Sequence, residues 1–291
     1  MSGSKSKAAI SSIFDRKFGE GFLKGVPLCP GVYLYTNEKG EIRYVGKAKS
    51  LRRRLAQYRN AKKNRDDRKM GRIVHDAMKL EFVTCETELD ALIMETRLIQ
   101  QHRPRWNVAG AFAHIYPYFG VRRDGDVVEI LFTTLPEAFP EHRLFGAFRS
   151  RGFCQDAFTT LAKLLGFWGH REKRTRVQVK ARVKYSWVYR FRQLPTGVVD
   201  ELQGWLRGET DTWLETLCLA LLDNAGARRK SLEVQEGLKF LKAFWELEAL
   251  PLKEVITACG HSGHPVAQKE RDILFHQARF KALAKEPPPP L

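Results

Sequence analysis

Long apolar runs are missing from this chain of 291 residues. No stretch reaches the ~18 consecutive apolar residues that a membrane-crossing helix needs, so no transmembrane segment is expected. The first residues, Met1 to Lys7, are polar and small with no apolar core behind them, which argues against a secretory signal. Clustered cysteines are missing too. Cys29, Cys85, Cys154, Cys218 and Cys259 are far apart, which speaks against a Cys-x-x-Cys metal knuckle and for a reducing, cytoplasmic setting. Acidic residues are scarce: 33 Asp and Glu face 50 Lys and Arg, a net charge of +17. That excess favours a polyanionic partner, nucleic acid before membrane, because no amphipathic basic anchor is visible. Hydrophobic residues make up 43%, enough for a folded chain long enough for two domains.

The stretch that organises the rest runs from Gly31 to Tyr58. Gly31-Val32-Tyr33-Leu34-Tyr35 and Glu41-Ile42-Arg43-Tyr44-Val45-Gly46 flank a turn at Asn37 to Gly40, a hairpin signal. Ser50 then stands as an N-cap, and Leu51, Leu55 and Tyr58 fall at helical spacing, which places Arg54 on the first helix after the hairpin. Read blandly, the hairpin merely packs its tyrosines in a small core. From Arg43 to Lys79 fourteen basic residues face only Asp66, Asp67 and Asp76. Such a run is either a solvated face or a groove that tracks phosphates, and its position around the hairpin favours the groove. Lys49, Arg52, Arg53, Arg59, Lys62, Lys63 and Arg65 are its candidate nucleic-acid contacts, and charge alone does not distinguish DNA from RNA.

Downstream, Arg68 to Met78 reads as a helix and Glu81 to Cys85 as a third strand. Thr87-Glu88-Leu89-Asp90 offers a capping-box start to a further helix. Glu95 stands inside that helix's apolar run, where a carboxylate needs a cation beside it, either a neighbouring arginine or a metal ion.

The two halves Gly31-Val32-Tyr33 and Tyr44-Val45-Gly46 are followed by Gly-Lys-Ala-Lys-x-Leu-x-x-Arg-Leu-x-x-Tyr. Further on come Glu95-x-x-Leu98-Ile99 and Arg103-Pro104-Arg105-Trp106-Asn107-Val108. Together they resemble the GIY-YIG nuclease of the UvrC N-terminal and Cho type, from about Pro27 to Gly166, roughly half the chain. Trp106 replaces the tyrosine common there. The resemblance implies a metal-dependent DNA endonuclease that nicks one strand near a lesion in nucleotide excision repair. It implies Glu95 as the ligand of Mg²⁺ or Mn²⁺, Asn107 beside it, and double-stranded, damaged DNA as substrate. A loading protein of the UvrB type is an implied partner. Members usually carry a cysteine cluster that can hold iron–sulfur; this chain lacks it, so no such cluster is expected. The chain is also short for the second nuclease of full-length relatives, so one nick per event is expected.

For the hydrolysis, Arg54 suits a two-pronged grip on the phosphate. Tyr44 is the preferred base or water-positioner, with Lys47 three residues on as the cation that favours its ionised form. Tyr33 holds the water network, Tyr58 orients the phosphate or Arg54, and Glu95 binds a hard cation that needs few protein ligands.

The remaining chain is less distinctive. Ile115 to Phe119 and Val127 to Phe132 flank a turn at Asp124-Gly125, Leu144 to Phe148 follows, and Cys154 to Phe167 looks helical. Basic residues from Arg171 to Arg192 interleave with Tyr185, Trp187, Tyr189 and Phe191, either a phosphate- and base-contacting stretch or a β-ribbon with a solvated basic face. Leu202 to Leu222, Glu233 to Leu247 and Gln268 to Leu283 read as helices. Cys259-Gly260-His261-Ser262-Gly263-His264 has three potential zinc ligands but the glycines of an interhelical loop.

The expected protein is α+β. A flexible leader, with room for a short helix near Ile10 to Phe22, spans 1–24, and a nuclease domain with a three-stranded antiparallel sheet flanked by helices spans 25–110. A second domain of β-hairpin and mainly helices covers 111–285, and a proline-rich tail 286–291. Competing functions are a structure-specific or invader-DNA nuclease on the same fold and a non-catalytic nucleic-acid-binding module.

Overall fold

The computed structural model describes residues 12–61, 68–107, 116–172 and 186–283. The chain divides into one unit of Met1–Ala113 with Arg279–Leu291 and another of His114–Ala278. No helix among the described residues is long and apolar enough to cross a membrane.

In the first unit, β1 (Gly31–Thr36) lies between β2 (Ile42–Ala48) and β3 (Lys79–Thr84), antiparallel to both. The third strand starts two residues before its expected place. Side-chain alternation gives the sheet two faces. Tyr33 and Tyr35 face α3 (Leu51–Asn60) and α4 (Arg68–Asp76), joining Leu51, Leu55, Tyr58, Ile73 and Val74 in one core. Val32 and Val45 face α5 (Glu88–His102), packing on Ala91 and Ile99. The capping box forms as expected: Asp90 N–H donates to Thr87 Oγ1 and Thr87 N–H to Asp90 Oδ2, both at 3.1 Å. Arg103, at φ 46°, ends α5 in the left-handed region just before Pro104, which disfavours helical backbone ahead of it.

From Ser12 on, the expected flexible leader is built into this unit. It forms α1 (Ile13–Phe18) and α2 (Phe22–Gly25), and Phe14 is buried. The cause is apolar burial: Phe14 and Phe18, one turn apart on α1, and Phe22 at the start of α2 lay three rings on the tyrosine core; Phe18 meets Tyr35 at 6.0 Å. The segment is also tied by ions. Arg59 Nε donates to both carboxylate oxygens of buried Asp15 at 2.8 Å, and Lys17 Nζ to the carbonyls of His75 and Ala77. Ser50 stands at the N-cap of α3 but its hydroxyl makes no cap bond; Cys29 and Pro27 carbonyls accept from Leu51 and Arg52 N–H instead, at 3.1 Å each.

The second unit is richer in strand than expected. Its five-stranded antiparallel sheet has the order β6 (Arg143–Gly146), β4 (Tyr118–Asp124), β5 (Val127–Thr133), β8 (Trp187–Arg192) and β7 (His170–Arg171). The β4–β5 turn is Gly125-Asp126, one residue later than expected. Helix α6 (Arg151–Trp168) crosses one face, capped by Glu248, whose carboxylate accepts the Arg149 and Ser150 N–H groups at 2.6 and 3.0 Å. Helices α7 (Val198–Leu206), α8 (Thr212–Asp223), α9 (Ala225–Arg229), α10 (Ser231–Phe244), α11 (Leu250–Cys259) and α12 (Gln268–Leu283) follow. One helix was expected from 202 to 222. It breaks at Gly208, with φ 73°, where any Cβ would stand 2.5 Å from the Ala249 carbonyl.

Two stretches that the sequence leaves with two readings each take one of them. Trp187, Tyr189 and Phe191 pack on the hydrophobic core, and Arg190 is held by Glu129 at 3.1 Å and Glu172 at 3.4 Å. The aromatics of β8 therefore serve the core, Phe191 fully buried and Trp187 and Tyr189 half-buried against it; Tyr185 and the basic residues 173–184 lie outside the described residues. The Cys259–His264 stretch is a helix end. Gly260 sits in the left-handed region at φ 66°, and His261 N–H donates back to Ile256 O at 3.0 Å. Among the described residues no three His, Cys, Asp or Glu side chains are grouped for a metal.

Candidate active site

The hairpin register sets Tyr33 opposite Gly46 and Tyr35 opposite Tyr44. Tyr33 leans over Gly46: a Cβ on Gly46 would lie 2.4 Å from Tyr33 Oη. Gly31 is equally tight, with Val83 O at 2.3 Å from where its Cβ would be. The tyrosine rings of residues 33, 35, 44 and 58 cluster with centroids 5.3 to 6.4 Å apart. Helix α3 brings Arg54 to them. Its Nε donates to Tyr33 Oη at 3.1 Å, and Tyr33 Oη lies 3.2 Å from Tyr58 Oη, so guanidinium and two phenols form one chain. Burial pushes the Tyr33 phenol up to about 12 and the Tyr58 and Tyr35 phenols up as well, so they stay protonated as donors at neutral pH. Burial alone would weaken the Arg54 charge, but the tyrosine oxygens around it outweigh that and hold the guanidinium charged.

Strand β2 is a sheet edge, and its outward backbone groups are taken by two candidate site residues. Asn107 Oδ1 accepts Val45 N–H at 2.9 Å and its Nδ2 donates to Val45 O at 2.8 Å. Two residues on, Glu95 Oε1 accepts Lys47 N–H at 3.0 Å. Burial raises the Glu95 carboxyl, with Lys47 and Arg54 partly offsetting it. Asn107 thus clamps the strand between Tyr44 and Gly46, and Glu95 reads its next free N–H. This use of an edge also blocks unwanted strand pairing.

One expected pairing changes. Tyr44 lies on the tyrosine face and Val45 on the α5 face, so strand alternation turns the Lys47 side chain toward Glu95 and away from Tyr44. Lys69 of α4 joins Arg54 on Tyr44's own face, its Nζ 5.5 Å from the ring centroid. The sequence reading also missed a clamp around Asp76. Its Oδ2 accepts from Trp106 Nε1 and from Arg43 Nε, each at 2.9 Å, and Trp106 N–H donates to Arg43 O. The indole supplies a donor that fixes the 103–107 segment on β2; the tryptophan in place of a tyrosine was the available signal.

The basic candidates separate. Arg52 donates to the Val26 and Lys24 carbonyls and Arg59 to Asp15, so both hold the segment before the hairpin. Arg53 is exposed, and Lys49 is exposed with a 3.0 Å ion pair to Glu88. Lys62, Lys63 and Arg65 lie outside the described residues.

A metal ion fits here on the chemistry of the donors. Glu95 offers a hard, half-buried carboxylate with one oxygen anchored, and among the described residues no three potential ligand side chains are grouped around it. That suits an ion that keeps most of its waters, such as Mg²⁺ or Mn²⁺, and not one that needs several protein ligands.

Residues 29–108 match the family model described as the UvrC-like GIY-YIG domain. This segment is a UvrC-type GIY-YIG nuclease domain. The chain is 36% identical over 122 residues to the UvrABC system protein C of Christiangramia forsetii, covering 42% of this chain and 19% of that protein. To the UvrABC system protein C of Acetivibrio thermocellus it is 35% identical over 142 residues, covering 49% and 22%. The chain thus spans about a fifth of the length of these relatives. The crystal structure of the GIY-YIG N-terminal endonuclease domain of Thermotoga maritima UvrC, bound to magnesium as its catalytic divalent cation, is similar at 38% identity. That match covers 30% of this chain and 91% of that one with a TM-score of 0.27.

Proposed function

We propose that this protein is a metal-dependent DNA endonuclease that hydrolyses one strand near a lesion in nucleotide excision repair, acting on DNA handed over by a loading protein of the UvrB type. The observation that carries the reading is the Arg54–Tyr33–Tyr58 chain built across the Tyr33/Gly46 contact, with Glu95 anchored on the adjoining edge of β2. The UvrC-like domain match and the net charge of +17 support it.

Arg54 grips the scissile phosphate with its remaining donors, while Tyr33 Oη accepts from Nε and Gln57 Oε1 from Nη1 to hold the guanidinium in place. Tyr33 and Tyr58, held protonated, donate to phosphate oxygens or the attacking water. Tyr44 takes the proton of that water, with the Lys69 ammonium 5.5 Å from its ring centroid as a neighbouring cation. Glu95 holds the divalent ion, which when bound supplies charge neutralisation and activation of water. Lys47 balances the carboxylate, and Asn107 keeps β2 in register so that Tyr44 and Glu95 stay in place. Lys49, Arg53 and the basic residues 62, 63 and 65 contact the DNA backbone.

The test is incision of a lesion-bearing duplex by the full chain, with and without Mg²⁺ or Mn²⁺ and a UvrB-type loading protein, mapped on a sequencing gel. A metal-dependent single cut beside the lesion is expected. Uncut DNA under every combination would end the reading.

A further inference from the structure

The second unit holds a cleft of about 370 Å³ that the nuclease chemistry does not use. Four segments wall it: β6 with Arg143 and Phe145, the turn after α7 with Arg207 and Glu209, α11 with Lys253, and the loop carrying His264. Its volume is in the range of small-ligand clefts.

We propose that this cleft binds a phosphate group, supplied by the backbone of nucleic acid. Three cations, Arg143, Arg207 and Lys253, face one carboxylate, Glu209, so the cleft keeps an uncancelled positive charge. Glu209 reports that charge. The hydrogen bond from Arg207 and the nearby charges of Arg207 and Lys253 hold its carboxyl below the usual range despite some burial. His264 adds no proton-dependent ambiguity at neutral pH, because burial pushes its pKa down and keeps the imidazole neutral.

Hydrogen bonds orient both guanidinium groups, although Arg143 is exposed. Arg207 Nη2 is 2.8 Å from Glu209 Oε2, and Arg143 Nη1 donates to Gln203 Oε1 at 2.9 Å, which leaves each fork with further donors. Leu144, Phe145 and Ile256 give the cleft an apolar wall, which strengthens an ion pair formed inside it. The same excess of positive charge disfavours a metal ion. A planar fork suits phosphate and carboxylate alike. The choice of a nucleic-acid phosphate rests on the nuclease reading given above.

The test uses the full chain with Arg143→Ala/Lys253→Ala. A control pair, Lys239→Ala/Lys242→Ala, removes the same charge from exposed positions of α10. Duplex affinity is measured against salt by fluorescence anisotropy, with a thermal melt on each protein. Losing two phosphate contacts lowers the slope of log affinity against log salt by about 1.8. That drop is expected in the cleft variant and not in the control. If the double variant does not fold, Lys253→Gln is read alone, with an expected drop of about 0.9. Binding of inorganic phosphate and of a deoxynucleoside monophosphate, followed by calorimetry, separates the sources. Loss of small-phosphate binding with an unchanged duplex slope keeps the phosphate site and moves its source to a free metabolite. A slope and a small-phosphate affinity that both match the control overturn the proposal. Nicking at saturating DNA should stay at the parent rate, and a parent protein that never nicks while the slope still drops would sink the nuclease reading alone.

Discussion

The end of the Tyr33 side chain occupies the place where a side chain on Gly46 would begin, with Oη and Cζ 2.4 and 2.5 Å from that Cβ position. The two halves of the motif are therefore one steric unit: the glycine of the second strand exists so that the tyrosine of the first can cross it and meet Arg54. Gly46→Ala is expected to destabilise the protein by about 1–3 kcal/mol, the usual cost of overpacking. The same change made on Tyr33→Ala should cost far less, because the ring it strikes is gone. Urea unfolding of the four proteins measures the coupling; an equal cost in both backgrounds contradicts the contact.

Asn107→Ala removes both bonds to Val45 and leaves a free backbone pair on the β2 edge. A loss of about 1–3 kcal/mol is expected, together with most of the nicking activity. Asn107→Asp keeps the acceptor for Val45 N–H but sets a carboxylate against Val45 O, so it should restore neither. Full activity in Asn107→Asp would show that the amide is not needed as a donor.

Acid should loosen the first unit. The Arg59 and Ser12 hydrogen bonds outweigh burial and hold the Asp15 carboxyl below its usual range; Trp106, then Arg43, do the same for Asp76. A folded pKa below the unfolded value, about 3.9, means stability that is fully present above that value and lost as pH falls through the folded pKa. Melting temperatures are expected to fall below about pH 4, and Asp15→Asn/Asp76→Asn should melt lower at neutral pH with a flatter acid limb. An acid limb identical to the parent's contradicts the two clamps.

Lys69 supplies a charge over the Tyr44 ring. Lys69→Gln should slow nicking about threefold at neutral pH, as loss of an exposed cation–π contact of ~0.5–1 kcal/mol allows. Lys69→Arg should restore the rate. A parent rate in Lys69→Gln removes Lys69 from the mechanism.

Most of the nuclease fold was legible because its signals are local. The Asn37–Gly40 turn, the Thr87/Asp90 capping box and the Leu51–Leu55–Tyr58 spacing each act within a few residues. Tyr33, Arg54 and Tyr58 were legible as a group, and the structure joins them by hydrogen bonds. What failed depended on the third dimension. Strand alternation separates Lys47 from Tyr44 although three residues is a short distance in sequence. Arg52 and Arg59 read as DNA contacts because a charge list does not show that Val26 O and Asp15 lie beside them. In the second unit the sequence left two readings of β8 open, since basic–aromatic alternation describes a nucleic-acid surface and a core strand with an ion-paired outer face equally well. The break at Gly208 is set by Ala249, 41 residues away, which no local pattern reports.

The most direct measurement is nicking by Glu95→Gln across a Mg²⁺ titration, with a thermal melt and duplex affinity on the same preparation. Glutamine keeps an acceptor for Lys47 N–H and removes a half-buried charge, so the melting temperature should stay equal or rise. Duplex affinity should hold within about twofold, since none of the backbone-tracking cations is touched. Nicking should fall roughly a thousandfold and not return at high metal, as loss of several kcal/mol of metal-based stabilisation requires. A folded, DNA-binding Glu95→Gln protein that nicks at the parent rate would contradict the account.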